Sequence, residues 1–338
     1  MSDAWPLTIS RRGGAFRPVL SATLAGVLCL FACHGSAFAQ AQPGAARAQS
    51  GTVRITQAEL EVDDGHRLHW TYPKFRLWQL VASVAVYGST LFLQYGLSDD
   101  FPDSSWDDGF LFDDAARDLL VAKTQKGRQK AREISDVMWH TTQYYPVLVD
   151  SLLVPLVTDK FNYEVALQMT AINWQVQGLA FFFTRLSHRT AGRARPSLQE
   201  CEKNPNYDDL CSERYTGRTA SFVGGHVSMA MSGAGLVCAH HQALPLYGGN
   251  VADALVCGVA VASALTTGTL RVVADRHWMT DILVGGAMGG ALGYGLPYLL
   301  HYRHGKLQPL GAELLPPNTV VYPLASTTEV GLGFGGLF

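Results

Sequence analysis

Long apolar stretches alternate with polar connections along this chain of 338 residues. Two of them carry polar side chains such as Asp150 and Asn173, which suit helices shielded inside a bundle. Three others are apolar enough, and about long enough, to span a bilayer. The pattern therefore predicts an all-α fold, a six-helix membrane bundle. Its predicted helices are 78–97, 137–157, 165–184, 227–246, 252–270 and 281–300.

Glycines recur through the last of these helices at intervals of four residues, at Gly285, Gly289 and Gly293. Small residues at this spacing let two helices approach each other closely in a membrane. The same glycines would also suit a helix in the core of a soluble protein. The alternative of a soluble bundle therefore stays open.

The first 39 residues have the order of a secretory signal peptide. Arginines up to Arg17 precede the apolar run "PVLSATLAGVLCLFA", and the small-residue pattern Ala37-Phe38-Ala39 follows it. We expect residues 1–39 to be a signal peptide that is cleaved after Ala39. The alternative is an uncleaved first membrane helix.

The rest of the chain divides into three parts by composition. Residues 40–77 are predicted to be a flexible leader and an extended arm, and residues 78–305 the helical domain. The tail, residues 306–338, ends in "TVVYPLASTTEVGLGFGGLF". Its apolar–polar alternation around a Thr-Thr turn predicts a small β-hairpin.

Charged residues are scarce, at 16% of the chain against 48% hydrophobic residues. Soluble domains carry roughly 25% charged residues. The formal net charge is −2, and no clustered basic excess is present. Nucleic acid is therefore not an expected partner.

The six cysteines fall into three pairs, of which Cys29 and Cys33 lie in the predicted signal. Cys201 and Cys211 bracket a polar loop, and they could form a disulfide in an oxidising compartment. A metal site is less favoured there, because no second Cys/His pair lies nearby at ligand spacing. The remaining pair, at 238 and 257, is predicted to consist of small core residues.

The stretch "RVVADRHWMTD" places charged residues between two of the most apolar segments. His277 and Asp281 are four residues apart, so both side chains can lie on one face of a helix or turn. The carboxylate could then hold one imidazole nitrogen and leave the other nitrogen able to attack. Arg271 could recognise an oxyanion through two parallel hydrogen bonds.

Two further stretches have the same chemical character. "HRTAGRARP" supplies Arg195, a second candidate for holding an oxyanion. "SFVGGHVS" places Gly224 and Gly225 just before a helix, where backbone amides bind anions well. His226 follows them and could protonate a leaving oxygen. Together with "RVVADRHWMTD", these stretches predict a phosphate site.

These residues resemble the signature of the type-2 phosphatidic-acid phosphatase and vanadium haloperoxidase superfamily, which is K-x6-R-P, P-S-G-H and S-R-x5-H-x3-D. The resemblance covers about residues 137–300 and implies a helical bundle of the acid phosphatase/haloperoxidase type. It implies that His277 forms a phosphohistidine, that Asp281 orients it and that His226 protonates the leaving group. It also implies that Arg195 and Arg271 hold the phosphoryl oxygens.

The chain departs from this signature at several positions. His188 stands where the family has a lysine, and either it or the adjacent Arg189 could supply the cation. Gly224 replaces a serine whose hydroxyl donates to phosphate, a loss of about 2–4 kcal/mol by analogy with an oxyanion-hole donor. Val223 replaces the proline, and Leu270 replaces the serine before the arginine.

The resemblance implies a metal-independent phosphatase that acts on a lipid phosphate or pyrophosphate through a phosphohistidine. No cofactor is expected, although vanadate should bind as a phosphate mimic. The alternatives are a secreted soluble acid phosphatase, a vanadate-dependent haloperoxidase and a non-enzymatic member that keeps only the fold. The expected partners are the lipid phosphate and the membrane.

The expected location is the inner membrane of a Gram-negative bacterium, as a multi-pass protein with its site facing the periplasm. A soluble periplasmic protein is the alternative. A cleaved signal followed by three crossings would place the motif loops in the cytoplasm instead. A Cys201–Cys211 disulfide indicates the periplasm, and we give it the greater weight.

Overall fold

The structure is a computed structural model that describes residues 65–97, 104, 106–208, 211, 217–249, 251–305, 319–325 and 330–336. The predicted signal peptide, with Cys29 and Cys33, lies outside the described residues, as does the leader up to residue 64. The predictions for these segments therefore stay predictions.

Helices make up most of the described chain, as the apolar pattern predicts. They are α1 (Leu77–Leu91), α2 (Asp113–Leu120), α3 (Gln125–Tyr145), α4 (Tyr163–Ala191), α5 (Ser197–Cys201), α6 (Gly225–Ala243), α7 (Val251–Val273), α8 (Met279–Gly290) and α9 (Leu296–Leu300). π-helical segments extend α1 through Phe92–Gly96 and α3 through Pro146–Thr158, and Ala291–Gly295 joins α8 to α9. The predicted helical fold class is confirmed.

Local sequence signals set the ends of α4, which carries several residues of the site. The side chain of Asn162 accepts a hydrogen bond from the backbone N–H of Val165 and caps the start of the helix. Gly192 ends the helix in the left-handed conformation, with φ of 56°. This reversal directs the chain into the loop that holds Arg195.

The glycine-rich face of α8 and its extension packs directly on α6. A Cβ atom at Gly289 would overlap the backbone carbonyl of Ser228, and one at Gly293 would overlap that of Ser232. The close approach predicted from the glycine spacing is therefore present. It brings the start of α8 beside the start of α6.

Successive long helices run in opposite directions, so that one end of the bundle collects residues from distant parts of the chain. Gln94, His188 and Arg271 come from the ends of the α1, α4 and α7 runs, and all three line one cavity. Gly225 and His226, at the start of α6, line the same cavity. This end of the bundle holds the candidate site.

The predicted arm before α1 packs at the opposite end. The backbone N–H of Arg67 donates to the carboxylate of Asp159, at the end of the α3 run, over 2.6 Å. Its guanidinium donates to the carbonyl of Leu246, just after α6, over 2.9 Å. The carbonyl of Pro73 lies 2.8 Å from Nδ1 of His301, which follows α9.

Three helical runs are long and apolar enough to cross a membrane: Leu77–Gly96, Val251–Val273 and Met279–Leu300. Large apolar side chains on them are exposed, including Val84, Leu255 and Leu283. Extended apolar surface of this kind is unusual on a soluble monomer. The three helices indicate that the protein associates with a membrane.

Two disulfides link parts of the described chain. Cys201 and Cys211 are bonded, with their Cα atoms 5.1 Å apart, as the sequence allowed. Cys238 and Cys257 are also bonded, with their Cα atoms 4.7 Å apart, and they join α6 to α7. The prediction that this second pair consists of separate core residues is wrong, because helix packing brings the two cysteines together.

The chain ends in two strands, β1 (Thr319–Ala325) and β2 (Val330–Gly336). They pair antiparallel, with Thr319 opposite Gly336 and Ala325 opposite Val330. They form at the place where the apolar–polar alternation predicts a hairpin.

Candidate active site

A cavity of about 620 Å³ opens among α1, α3, α4 and α6. Most of the residues predicted to bind or react with phosphate line it. They are Arg195, Gly225, His226, Arg271 and His277, together with His188. The tertiary structure thus brings together residues that are up to 89 positions apart in the chain.

His277 lies in the short connection between α7 and α8, and its side chain is almost fully buried. Its Nδ1 is 2.8 Å from the backbone carbonyl of Ser221. Since a carbonyl can only accept a hydrogen bond, Nδ1 carries the proton and Nε2 keeps a lone pair. Nε2 lies 3.3 Å from the guanidinium of Arg195. The reactive nitrogen therefore lies beside a phosphate-binding candidate.

The charge state of His277 suits a nucleophile. Burial lowers its pKa well below the ordinary value, and the positive charges of Arg195 and Arg271 lower it further. The ring is therefore neutral near pH 7. A neutral imidazole has the lone pair that attack on phosphorus requires.

Asp281 contacts His277 less directly than the sequence predicts. Its Oδ2 atom is 3.8 Å from Nδ1 of His277, which is longer than a hydrogen bond. Oδ2 instead accepts from the hydroxyl of Ser221 over 2.6 Å and from the backbone N–H of Trp278 over 3.0 Å. Asp281 thus holds both segments next to the imidazole, while the Ser221 carbonyl holds the ring itself.

Arg193 anchors this arrangement, although sequence reasoning missed it. Its guanidinium lies 2.5 Å from Asp281 and 2.7 Å from Asp113 on α2, and all three side chains are fully buried. The group also lies over the ring of Trp106, 3.9 Å from its centroid. The only sequence signal was that Arg193 stands two residues before Arg195.

The two arginines that the sequence predicts to bind phosphate are held by different partners. Arg195 donates to the backbone carbonyls of Gly217, Ala220 and Arg276 over 2.8–3.1 Å. Arg271 donates to the carboxylate of Asp136 on α3 over 2.8 Å. Both side chains are therefore positioned at the cavity before any substrate arrives.

Asp136 also contacts the candidate general acid. It lies 3.1 Å from Nε2 of His226, whose ring packs edge-to-face on Trp139 with the centroids 4.5 Å apart. Burial opposes ionisation of Asp136, but the hydrogen bond from His226 and the charge of Arg271 outweigh it and lower its pKa. Sequence reasoning missed Asp136, which lies in "REISDV" outside the recognised motifs.

His188 does not provide the cation that its place in the motif suggests. Its ring Nε2 donates to the carbonyl of Val223 over 2.9 Å. Burial, together with the charges of Arg195 and Arg185, lowers the pKa of His188 to about 3. The ring is therefore neutral. The neighbouring Arg189 is not in the cavity lining, and its Nε donates to the carbonyl of Leu93 over 3.0 Å.

Gly224 also has a different role from the predicted one. Its backbone N–H donates to the carbonyl of Asp281 over 3.0 Å and so is not available to a phosphate. A side chain here would meet Ile282 and that carbonyl at 3.0–3.1 Å, at the contact with α8. The N-terminal amides of α6 that remain for an anion begin at Gly225, which does line the cavity.

The fold and the candidate site indicate a helical, membrane-associated protein with buried histidines and arginines around one cavity. Residues 176–305 match the family model of the PAP2 superfamily, the type-2 phosphatidic acid phosphatase superfamily. This segment of the chain is similar to the superfamily, and it contains all three motifs identified in the sequence. No curated protein and no solved structure matches the chain.

Proposed function

We propose that this protein is a membrane-bound phosphatase that hydrolyses a lipid phosphate monoester or pyrophosphate. The match of residues 176–305 to the superfamily supports the general activity, hydrolysis of phosphoric esters. The observation that carries the proposal is the geometry of His277. Its deprotonated Nε2 lies beside Arg195, in a cavity that Arg271 and His226 also line.

In the proposed first step, Nε2 of His277 attacks phosphorus and the bond from phosphorus to the leaving oxygen breaks. His226 gives a proton to that oxygen, while Arg195 and Arg271 stabilise the charge on the phosphoryl oxygens. A phosphohistidine results. Water then attacks its phosphorus and gives a proton to His226, which releases inorganic phosphate and regenerates His277.

A lipid substrate is supported by the surroundings of the cavity. Besides the histidines and arginines, the lining includes the aromatic and apolar side chains of Tyr87, Trp139, Phe181 and Met229. One wall comes from α1, which belongs to an apolar run long enough to cross a membrane. The head group would then occupy the polar part of the cavity, and the acyl or prenyl chain would lie against the apolar helices.

A substrate panel tests this proposal. Phosphate release would be measured from lipid and soluble phosphomonoesters and pyrophosphates, with the full chain in detergent and with His277→Ala as the control. We expect lipid substrates to be preferred and EDTA to leave the rate unchanged. Release from soluble esters alone would overturn the lipid assignment.

The proposed acid–base roles predict an acidic pH optimum. His226 acts in its protonated form, and burial followed by the charge of Arg271 lowers its pKa to about 4. The protonated fraction therefore falls as the pH rises through that value. His277 acts in its neutral form and stays neutral at higher pH, because burial lowers its pKa well below the ordinary value. We expect kcat/KM, which reports the unliganded enzyme, to decline on the alkaline side.

The carboxylate of Asp136 raises the pKa of His226 and so opposes this decline. The substitution Asp136→Asn removes this carboxylate and should therefore move the alkaline limb of the kcat/KM profile to lower pH. Glu133→Gln, at an exposed position on the same helix, is the matched control and should leave the profile in place. An alkaline limb that stays in place or moves upward in Asp136→Asn would contradict the assignment of His226.

We propose further that the protein lies in the inner membrane with its site on the periplasmic side. The Cys201–Cys211 disulfide supports this side, because it lies in the loop that follows Arg195. The arm before α1 would then face the cytoplasm, since it packs at the other end of the bundle. A cleaved signal peptide would place the arm outside, so this orientation argues against cleavage.

Labelling with a membrane-impermeant thiol reagent on intact cells tests the orientation. Asn206→Cys, in the exposed disulfide loop, should react, whereas His69→Cys, at an exposed position in the arm, should react only after lysis. The opposite result would place the site in the cytoplasm. Equal labelling of both cysteines in intact cells would contradict a spanning bundle.

A further inference from the structure

The neutral state of His188 leaves the motif without the cation that the family signature places at this position. Since Nε2 donates to the carbonyl of Val223, Nδ1 carries a lone pair and can only accept a hydrogen bond. This nitrogen is buried and has no hydrogen-bond partner among the described residues. A lone pair repels a phosphate oxygen. Position 188 therefore does not help to neutralise a bound phosphate.

Arg185 lies one helical turn before His188 on α4, so the two side chains share a face of the helix. It lines the same cavity as Arg195 and Arg271. Its charge also acts on the ring of His188, which shows that the two groups are near each other. A third guanidinium is thus available at this cavity.

Arg185 differs from the other two arginines in what holds it. Its guanidinium lies over the ring of Phe181, 4.9 Å from the centroid. Among the described residues it forms no ion pair. Arg271, in contrast, is paired with Asp136, and Arg195 donates to backbone carbonyls.

Arg185 has no acidic neighbour in the described part of the chain, which makes even its partial burial costly. Burial lowers the pKa of Arg185, and among the described residues the ionisable groups that act on it are Tyr95 and Arg189 rather than a carboxylate. Arg185 is only partly buried, but its Nε is taken out of water without a hydrogen bond, and an anionic partner would restore the stabilisation that this costs. In a cavity that also contains the nucleophile, that anion is the substrate.

We propose that Arg185 binds the phosphoryl group under attack and supplies the cation that position 188 lacks. The inference rests on the proposed phosphatase function and adds a residue to its site. The planar guanidinium can donate two parallel hydrogen bonds to phosphate oxygens. Arg185, Arg195 and Arg271 would then surround the phosphoryl group, while Nε2 of His277 attacks it.

Replacing Arg185 by glutamine tests the proposal. We expect Arg185→Gln to lower kcat/KM for a lipid phosphomonoester about 10²-fold, as for loss of one transition-state donor. It should also weaken competitive inhibition by inorganic phosphate, whereas Arg185→Lys should keep most of both. Arg303→Gln removes an exposed arginine beyond α9 and is the matched control, which should behave as wild type.

A rescue variant separates phosphate binding from a structural role. His188→Lys introduced into Arg185→Gln restores a cation at the motif position, and we expect kcat/KM to recover at least tenfold. A purely structural role for Arg185 would not be rescued from another position. Thermal unfolding in detergent identifies variants that fail to fold. If the double variant does not fold, the activity of Arg185→Lys distinguishes phosphate binding from a structural role.

Three kinetic results would overturn the proposal. They are wild-type kinetics in Arg185→Gln, a loss confined to pyrophosphate substrates, and a folded double variant without recovery. The increase in melting temperature on adding inorganic phosphate measures binding without turnover. This increase in melting temperature should be smaller in Arg185→Gln than in the wild type, even if the wild-type protein releases no phosphate. An inactive wild type would therefore refute the proposed function, and an unchanged phosphate effect would refute the role of Arg185.

Discussion

Alanine at His277 should abolish phosphate release, with kcat reduced about 10⁴-fold or more, as when a catalytic nucleophile is removed. The imidazole is buried and neutral, and the Ser221 carbonyl holds its Nδ1 proton, so Nε2 is prepared for attack. Alanine removes that nitrogen and leaves the arginines in place. Substrate should therefore still bind to the variant while turnover stops.

The measurement is phosphate release from the lipid substrate that the wild type prefers, together with acid-labile phosphate trapped on the enzyme after rapid quenching in base. The trapped phosphate should appear in the wild type and be missing from His277→Ala. His69→Ala, at an exposed position in the arm, is the control and should keep full activity. Turnover by a folded His277→Ala variant at more than a small fraction of the wild-type rate would refute a histidine nucleophile.

The largest loss of stability is expected from Arg193→Met. Arg193 is fully buried between Asp113 and Asp281, with ion-pair distances of 2.7 and 2.5 Å. Methionine fills part of the space but leaves two carboxylates buried without their cation. Removing one partner of a buried ion pair costs about 3–5 kcal/mol of folding free energy. Activity should fall as well, because Asp281 holds the segments on either side of His277.

Thermal unfolding of the purified protein in detergent, followed by circular dichroism, measures this loss. Arg193→Lys should recover part of the stability, because it keeps the charge but not the fork of donors that reaches both carboxylates. Arg303→Met makes the same chemical change at an exposed position and should leave the melting temperature in place. An equally small effect at both positions would show that the Arg193 network does not stabilise the fold.

Local pattern was enough to predict the helices and most of the motif residues. Runs of apolar residues define helices without reference to the rest of the chain, because burial of one face follows from the sequence spacing. The same holds for glycines such as Gly289 and Gly293, whose spacing indicates close helix contact. His226 and His277 could also be assigned, since each stands at a fixed spacing from a motif partner.

The charge and the hydrogen-bond partners of the individual site residues could not be inferred from the sequence pattern. Position 188 suggested a cation, yet burial against the Val223 carbonyl makes His188 neutral. Gly224 suggested an amide donor to phosphate, yet the Asp281 carbonyl takes its N–H. Both outcomes depend on contacts between segments more than 30 residues apart.

The sequence by itself therefore determined a helical, charge-poor chain, the order of its phosphate motifs and the identity of its candidate nucleophile. Only the tertiary structure decided that Arg193 and Asp136 support the site and that Arg185 lies in the cavity with no acidic partner among the described residues. The physical reason is that hydrophobic periodicity records which face of a helix is buried. It does not indicate which polar groups come into contact when the buried faces pack. The charge of each group depends on those contacts, because burial, nearby charges and hydrogen bonds set its pKa.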